Sequence, residues 1–205
     1  MNELLQKAAE GLKRRGFDVA VFSSSAEATD YILADIPEGA SVAVGGSMTV
    51  QQLALHERLR ERGHAVLWHW EVPPQERPAL LHRAMACDAY LCSANALTED
   101  GLIVQIDGNG NRVGAMCYGP QTVHVVVGRN KLVSGGEQQA VRRIKQIACP
   151  LNARRQGLNT PCAAIDGGCD MTQCKSSMCS VTASFERAPG GKRTQVVLID
   201  EDLGY

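Results

Sequence analysis

Four cysteines fall within the eighteen residues from 162 to 179, spaced Cys162-x6-Cys169-x4-Cys174-x4-Cys179. Such density in a chain of otherwise ordinary composition points to a metal centre, to disulfides or to a redox relay. The first residues, MNELLQKAAEGLKRRG, read as an amphipathic helix charged throughout, with no apolar signal-peptide core and no membrane-spanning run. The expected compartment is therefore the reducing cytoplasm, where clustered cysteines more often hold metal than pair. Thiolate-only ligation suits zinc and iron-sulfur clusters alike. No C-x2-C knuckle is present and no histidine follows His124, while wide, irregular gaps wrap more easily round a cuboidal cluster than round one ion. The expected cofactor is thus an iron-sulfur cluster, of 4Fe-4S type, on Cys162, Cys169, Cys174 and Cys179. Zinc is the alternative, and free or redox-paired thiols are a third reading. Four ligands would close the cluster for electron transfer, whereas three would leave an iron open to substrate. Asp166-Gly167-Gly168 and Ser176-Ser177 supply turns between the thiols. Cys149, before Pro150, is a candidate fifth thiol, while Cys87, Cys92 and Cys117 sit in apolar surroundings and read as small buried hydrophobes.

The second chemical feature is Val42-Ala43-Val44-Gly45-Gly46-Ser47-Met48-Thr49, a strand running through glycines into a helix. Converging backbone amides, a helix N-terminus and the hydroxyls of Ser47 and Thr49 suit a phosphate or carboxylate. The Walker lysine and the full G-x-G-x-x-G fingerprint are both missing, so nucleotide binding does not follow. The plainer reading is a tight turn with an ordinary serine cap. In open parallel sheets ligands bind beyond the carboxyl ends of the strands. The residues expected there are Gly45, Gly46, Ser47, Thr49, Asn95, Glu99, Gly128, Arg129 and Lys131, and the expected ligand is a small anionic metabolite. His69 and Glu71 could serve as acid and base, but they alternate with Trp68 and Trp70 along what reads as an ordinary strand. No catalytic residue is assigned, and His56, His64, His82 and His124 carry no functional expectation.

The elements that must position these groups alternate as in an α/β open sheet, mostly parallel and covered by helices on both faces. Strands are expected at Asp18-Phe22, Ser41-Val44, Ala65-His69, Ala89-Ser93 and Val123-Gly128, with others at Val181-Phe185 and Thr194-Ile199. Helices are expected at 25–35, opened by a Ser24 to Glu27 capping box, at 49–62, at 75–86 and at 137–148. The Asp107-Gly108-Asn109-Gly110-Asn111 run between two apolar stretches predicts an antiparallel hairpin spanning 102–116. The 205 residues, 44% hydrophobic, form one domain, 1–205, that includes a Cys-rich metal-binding segment at about 149–180. A net charge of -1 and an aromatic content of 4% argue against nucleic acid as a partner.

Several stretches together carry a family resemblance. They are Gly45-Gly46-Ser47-Met48-Thr49, Thr98-Glu99-Asp100-Gly101, the run 106–113, Val127-Gly128-Arg129-Asn130-Lys131, Leu151-Asn152-Ala153-Arg154-Arg155 and Glu201-Asp202-Leu203-Gly204-Tyr205. In these the chain resembles the LUD, or lactate utilisation, domain family of LutC/YkgG type. The resemblance implies a fold like that of ribose-5-phosphate isomerase and the CoA transferases. It also implies a part in oxidising lactate to pyruvate alongside iron-sulfur partner subunits. Cysteine-rich members often carry C-x2-C in the late segment, where this chain has C-x4-C. The expected function is an iron-sulfur redox subunit acting on lactate or a related 2-hydroxy acid. The alternative is a non-redox or isomerase-like module that binds a phosphosugar or CoA-linked metabolite and carries structural zinc. A homo-oligomer is compatible with either.

Overall fold

The computed structural model describes residues 2–164, 169, 174 and 178–205. The strands in chain order are β1 (Asp18–Phe22), β2 (Val42–Val44), β3 (Val66–Trp68), β4 (Ala89–Cys92), β5 (Ala96–Thr98), β6 (Ile103–Asp107), β7 (Thr122–Gly128), β8 (Leu132–Val133), β9 (Val181–Phe185) and β10 (Arg193–Ile199). The helices are α1 (Glu3–Arg14), α2 (Ser25–Asp35), α3 (Met48–Gln52), α4 (Leu55–Glu61), α5 (Arg77–Ala84), α6 (Asn111–Cys117), α7 (Glu137–Arg143), α8 (Cys149–Arg155) and α9 (Pro161–Ala164). A six-stranded, wholly parallel sheet runs β1-β10-β7-β4-β2-β3. A smaller sheet runs β8-β5-β6-β9.

The valine-rich strands explain the large sheet. Their side chains alternate between faces, and both faces are covered, so the sequence reads as continuous apolar runs. On β7 and β10, Val125, Val127, Val196 and Leu198 pack with Leu5, Leu12 and Tyr90 on one face. Val126, Val197 and Ile199 pack with Ile32, Leu55 and Leu59 on the other. A third core, formed by Ala96, Val104, Ile144 and Ala148, joins the small sheet to the helices after it.

Cys117, expected to be buried like Cys87 and Cys92, is exposed at the end of α6, and three expected elements need correction. The hairpin expected over 102–116 does not form, because its second arm is the helix α6. Asp107 turns the chain by accepting hydrogen bonds from the amides of Arg112 (2.9 Å) and Val113 (3.2 Å), and Ala115 and Met116 are then buried as a helical face. The antiparallel pairing lies one step earlier, between β5 and β6. The helix expected at 49–62 is cut into α3 and α4 by Ala54, whose φ of 49° is left-handed. The helix expected at 137–148 widens into a π segment, Ile144–Ala148, and continues as α8. Pro150 has no amide hydrogen to close the ordinary turn there, and a register shift accommodates its ring. No helix among the described residues is long and apolar enough to cross a membrane.

Candidate functional site

A cavity of about 360 Å³ opens at the carboxyl edge of the parallel sheet. Its floor is Lys131, which is only 3% exposed. The ammonium donates to Thr49 Oγ1 and to Ser93 Oγ, each at 2.8 Å. Thr49 in turn donates to the Leu203 carbonyl at 3.1 Å. Burial, with Arg143 and Arg112 as neighbouring cations, brings the Lys131 pKa down to about 7. Arg143 lies behind it and directs its guanidinium to carbonyls, those of Asn95 (2.7 Å) and Asn130 (2.8 and 3.2 Å). Among the described residues neither cation has a carboxylate partner. The carboxylate of Asp107 faces the cavity but is engaged by the α6 amides and, at 3.4 Å, by Arg112. The floor is therefore electropositive.

The wall after β3 carries His69 and Trp70. Burial, then the charges of Arg77 and Arg112, hold the His69 pKa below its ordinary value, so the ring is neutral at pH 7. Trp70 is capped by the Arg155 guanidinium, 4.3 Å from the ring centroid. Arg155 also donates to Tyr205 Oη at 2.9 Å, and Tyr205 donates to Asn152 Oδ1 at 2.8 Å. Residues of α8 and of the last stretch of chain thus close one side together. Gly204 makes that approach possible. It adopts φ +62°, and a Cβ there would fall 2.5 Å from Thr49 Oγ1.

The third wall is sulfur-rich, formed by Cys149, Met178 and Cys179. The Cys149 and Cys179 sulfurs stand 3.3 Å apart. That contact, then burial, pushes the Cys149 thiol well above its ordinary pKa, and Cys162 adds to the effect. Two sulfurs on one tetrahedral zinc, with Zn–S near 2.3 Å, would lie about 3.8 Å apart. The pair is thus spaced to share one metal atom after a small adjustment. Cys162 is buried, its sulfur 3.3 Å from Thr160 Oγ1, and Cys169 and Cys174 are partly buried. Among the described residues no three Cys, His, Asp or Glu side chains already converge as a metal site. The turns Asp166-Gly167-Gly168 and Ser176-Ser177 lie outside the described residues.

Of the expected ligand-binding residues, Gly46, Ser47, Asn95 and Lys131 line the cavity, and Thr49 lies beneath it, holding Lys131. Gly45 packs behind the lining, where a Cβ would strike the Tyr90 hydroxyl at 2.8 Å. Ser47 Oγ caps Val50 at 3.2 Å, but α3 has only five residues, so its dipole adds little beside the buried cations. Three residues turn elsewhere. Glu99 accepts from the Gly135 amide (2.9 Å), Arg129 pairs with Asp202 (2.9 Å), and Gly128 presses on the chain at Glu201 and Leu203. Arg112 and Asp107 also line the cavity, but in sequence they belong to a run that reads as a hairpin and carries no site signal. Trp70 reads as part of a strand that stops at Trp68, and Asn152 and Arg155, three residues apart, lie far in sequence from Trp70 and Tyr205, which they meet.

A family model described as LUD domain matches residues 5–199. Among solved structures, the crystal structure of a DUF162 family protein from Deinococcus radiodurans is similar, with a TM-score of 0.54 at 17% identity and 96% of each chain covered. At that identity the likeness concerns the fold alone. No curated protein matches the chain.

Proposed function

The chain belongs to the LUD domain family, and on that premise we propose that it serves lactate utilisation as a redox subunit that binds lactate, or a related 2-hydroxy acid and its 2-oxo product, in the Lys131 cavity. The observation that carries this reading is a buried ammonium backed by Arg143, neither with a carboxylate of the described residues to balance it. Burying an unpaired charge is costly, and an incoming carboxylate relieves that cost. Arg112, which also lines the cavity, adds donors for the same carboxylate. His69, kept neutral, can take the proton of the substrate hydroxyl. Trp70 and Tyr205 narrow the cavity around a ligand of few carbon atoms.

The reading adds a soft-metal centre on the late cysteines, of which Cys179 lines one wall of the cavity. Cys162, Cys169, Cys174 and Cys179 would hold it, and the 3.3 Å approach of Cys149 to Cys179 adds a fifth thiol to the set. An iron-sulfur cluster there would carry electrons singly toward partner subunits. The same 3.3 Å spacing also favours a second reading, structural zinc shared by the two sulfurs.

Protein purified without oxygen is expected to contain iron and acid-labile sulfide and to absorb broadly in the blue. One equivalent of zinc without sulfide would replace the redox reading with the structural one. Calorimetric titration with lactate and with pyruvate is expected to show binding that weakens at least about tenfold in Lys131→Met. Unchanged affinity would remove the cavity from the proposal.

A further inference from the structure

We propose that Lys131 is a carbonyl-trapping amine, whose Nζ condenses with the ketone carbon of a 2-oxo acid to form an imine inside the cavity. This rests on the reading that the cavity admits such an acid, and it adds a covalent step that anion binding does not require.

The placement of the amine is what sets it apart. A lysine that serves only as a countercharge lies against a carboxylate, which keeps it protonated and poorly nucleophilic. Lys131 has instead two neutral hydroxyls at 2.8 Å, Thr49 and Ser93, and lines an open cavity. The titratable groups that act on it from neighbouring elements are Arg143 of α7 and Arg112 of α6, which lower its pKa, and the Cys92 thiol of β4, which opposes them more weakly. A desolvated amine beside cations is the arrangement that frees a lone pair at neutral pH. With its pKa lowered to about 7, roughly half the population is neutral there.

The two hydroxyls also fit the proton traffic. The Nζ lone pair attacks the ketone carbon, and the carbonyl oxygen takes a proton to give a carbinolamine. The nitrogen then gives up a proton, the oxygen gains one and leaves as water, and the C=N bond forms. Amine and ketone become imine and water, with no oxidant or reductant consumed. Ser93, which donates to the Ala94 carbonyl at 3.3 Å, and Thr49, which donates to Leu203, can each pass a proton at the nitrogen. The protonated imine keeps one positive charge, so the ligand carboxylate still meets a cation. A 2-hydroxy acid has no ketone carbon, and its carboxylate does not condense with an amine, so the site would tell product from substrate by covalent chemistry.

The test is reductive trapping with cyanoborohydride, which reduces imines and spares free ketones. Protein incubated with pyruvate and the reductant is expected to gain one reduced adduct by intact mass, mapped to the peptide bearing Lys131. Lactate with the reductant is expected to give none, and acetone, which lacks the carboxylate, far less. Lys131→Arg should abolish the adduct, while Ser93→Ala should slow it severalfold. Peptide mapping of the unaltered protein keeps the test independent of whether a variant folds. No adduct while pyruvate and lactate both bind reversibly would overturn the imine and leave the proposed function standing. Binding of neither acid would overturn both. Adducts spread over exposed lysines, with none enriched at Lys131, would also overturn the imine.

Discussion

Lys131 and Arg129 lie two residues apart at the end of one strand, and only their surroundings distinguish them. Arg129 stays in contact with water and pairs with Asp202, whereas Lys131 is buried in the cavity floor with hydroxyls for company. Sequence could place both at the sheet's carboxyl edge. It could not show that an acidic residue 73 positions on would claim the first. The buried position has a pH signature. An unfolded lysine keeps its proton up to about pH 10.4, while folded Lys131 loses it near 7. Between those values the unfolded chain binds more protons, so this residue's contribution to stability rises with pH across that window. The urea midpoint of the unaltered protein, followed by circular dichroism from pH 7 to 10, is expected to climb relative to that of Lys131→Met. A parallel course of the two would show that Lys131 titrates normally. Anion affinity runs the other way and is expected to fall as pH rises through 7, because the bound ligand favours the charged ammonium.

The joints between elements were harder to foresee than the elements themselves. The strands of the parallel sheet were legible because Val-Val-Val and Val-Ala-Val runs leave little alternative when both faces are covered. The Asp107 to Asn111 run did mark a turn, but the carboxylate of Asp107 caps a helix instead of closing a hairpin, and that choice depends on where Ala115 and Met116 find a core. One joint is especially intolerant. The helix α1 crosses the β5-β6 turn where Gly11 meets Gly101, and a Cβ on Gly11 would lie 2.3 Å from the Asp100 carbonyl carbon and 2.6 Å from the Gly101 nitrogen. Both are backbone atoms and cannot swing aside. Gly11→Ala is therefore expected to cost about 2 kcal/mol or more and to lower the melting temperature by several degrees, despite alanine's better helix propensity. Gly190→Ala, with open space around it, is the control that should change little. A stabilised Gly11→Ala would mean that α1 sits farther from the turn than described.

At the scale of the whole molecule, the site is assembled from segments far apart in sequence. The Gly46–Ser47 loop, α6, Lys131 just after β7, α8 and Tyr205 meet around a single cavity. This is why the sequence revealed the loop and the cysteines but not their common enclosure. The final stretch is held by small contacts. Asn130 accepts from the Leu203 amide (3.0 Å) and donates to the Gly204 carbonyl (3.1 Å), and Gln52 accepts from the Gly204 amide (2.7 Å). Gly204→Ala should lift this stretch away from Thr49, weakening pyruvate and lactate binding severalfold while circular dichroism stays unchanged. Equal affinity would show that the cavity does not depend on its last wall. The strand order carries a further consequence. Among the described residues the only sheet partner of β1 is β10, which is inserted between β1 and β7. As the chain leaves the ribosome, β1 is thus an early strand whose backbone edge lacks this partner until β10 has been translated. Newly made protein must shelter that edge, through its own helices or a chaperone, while the residues between β1 and β10 are made.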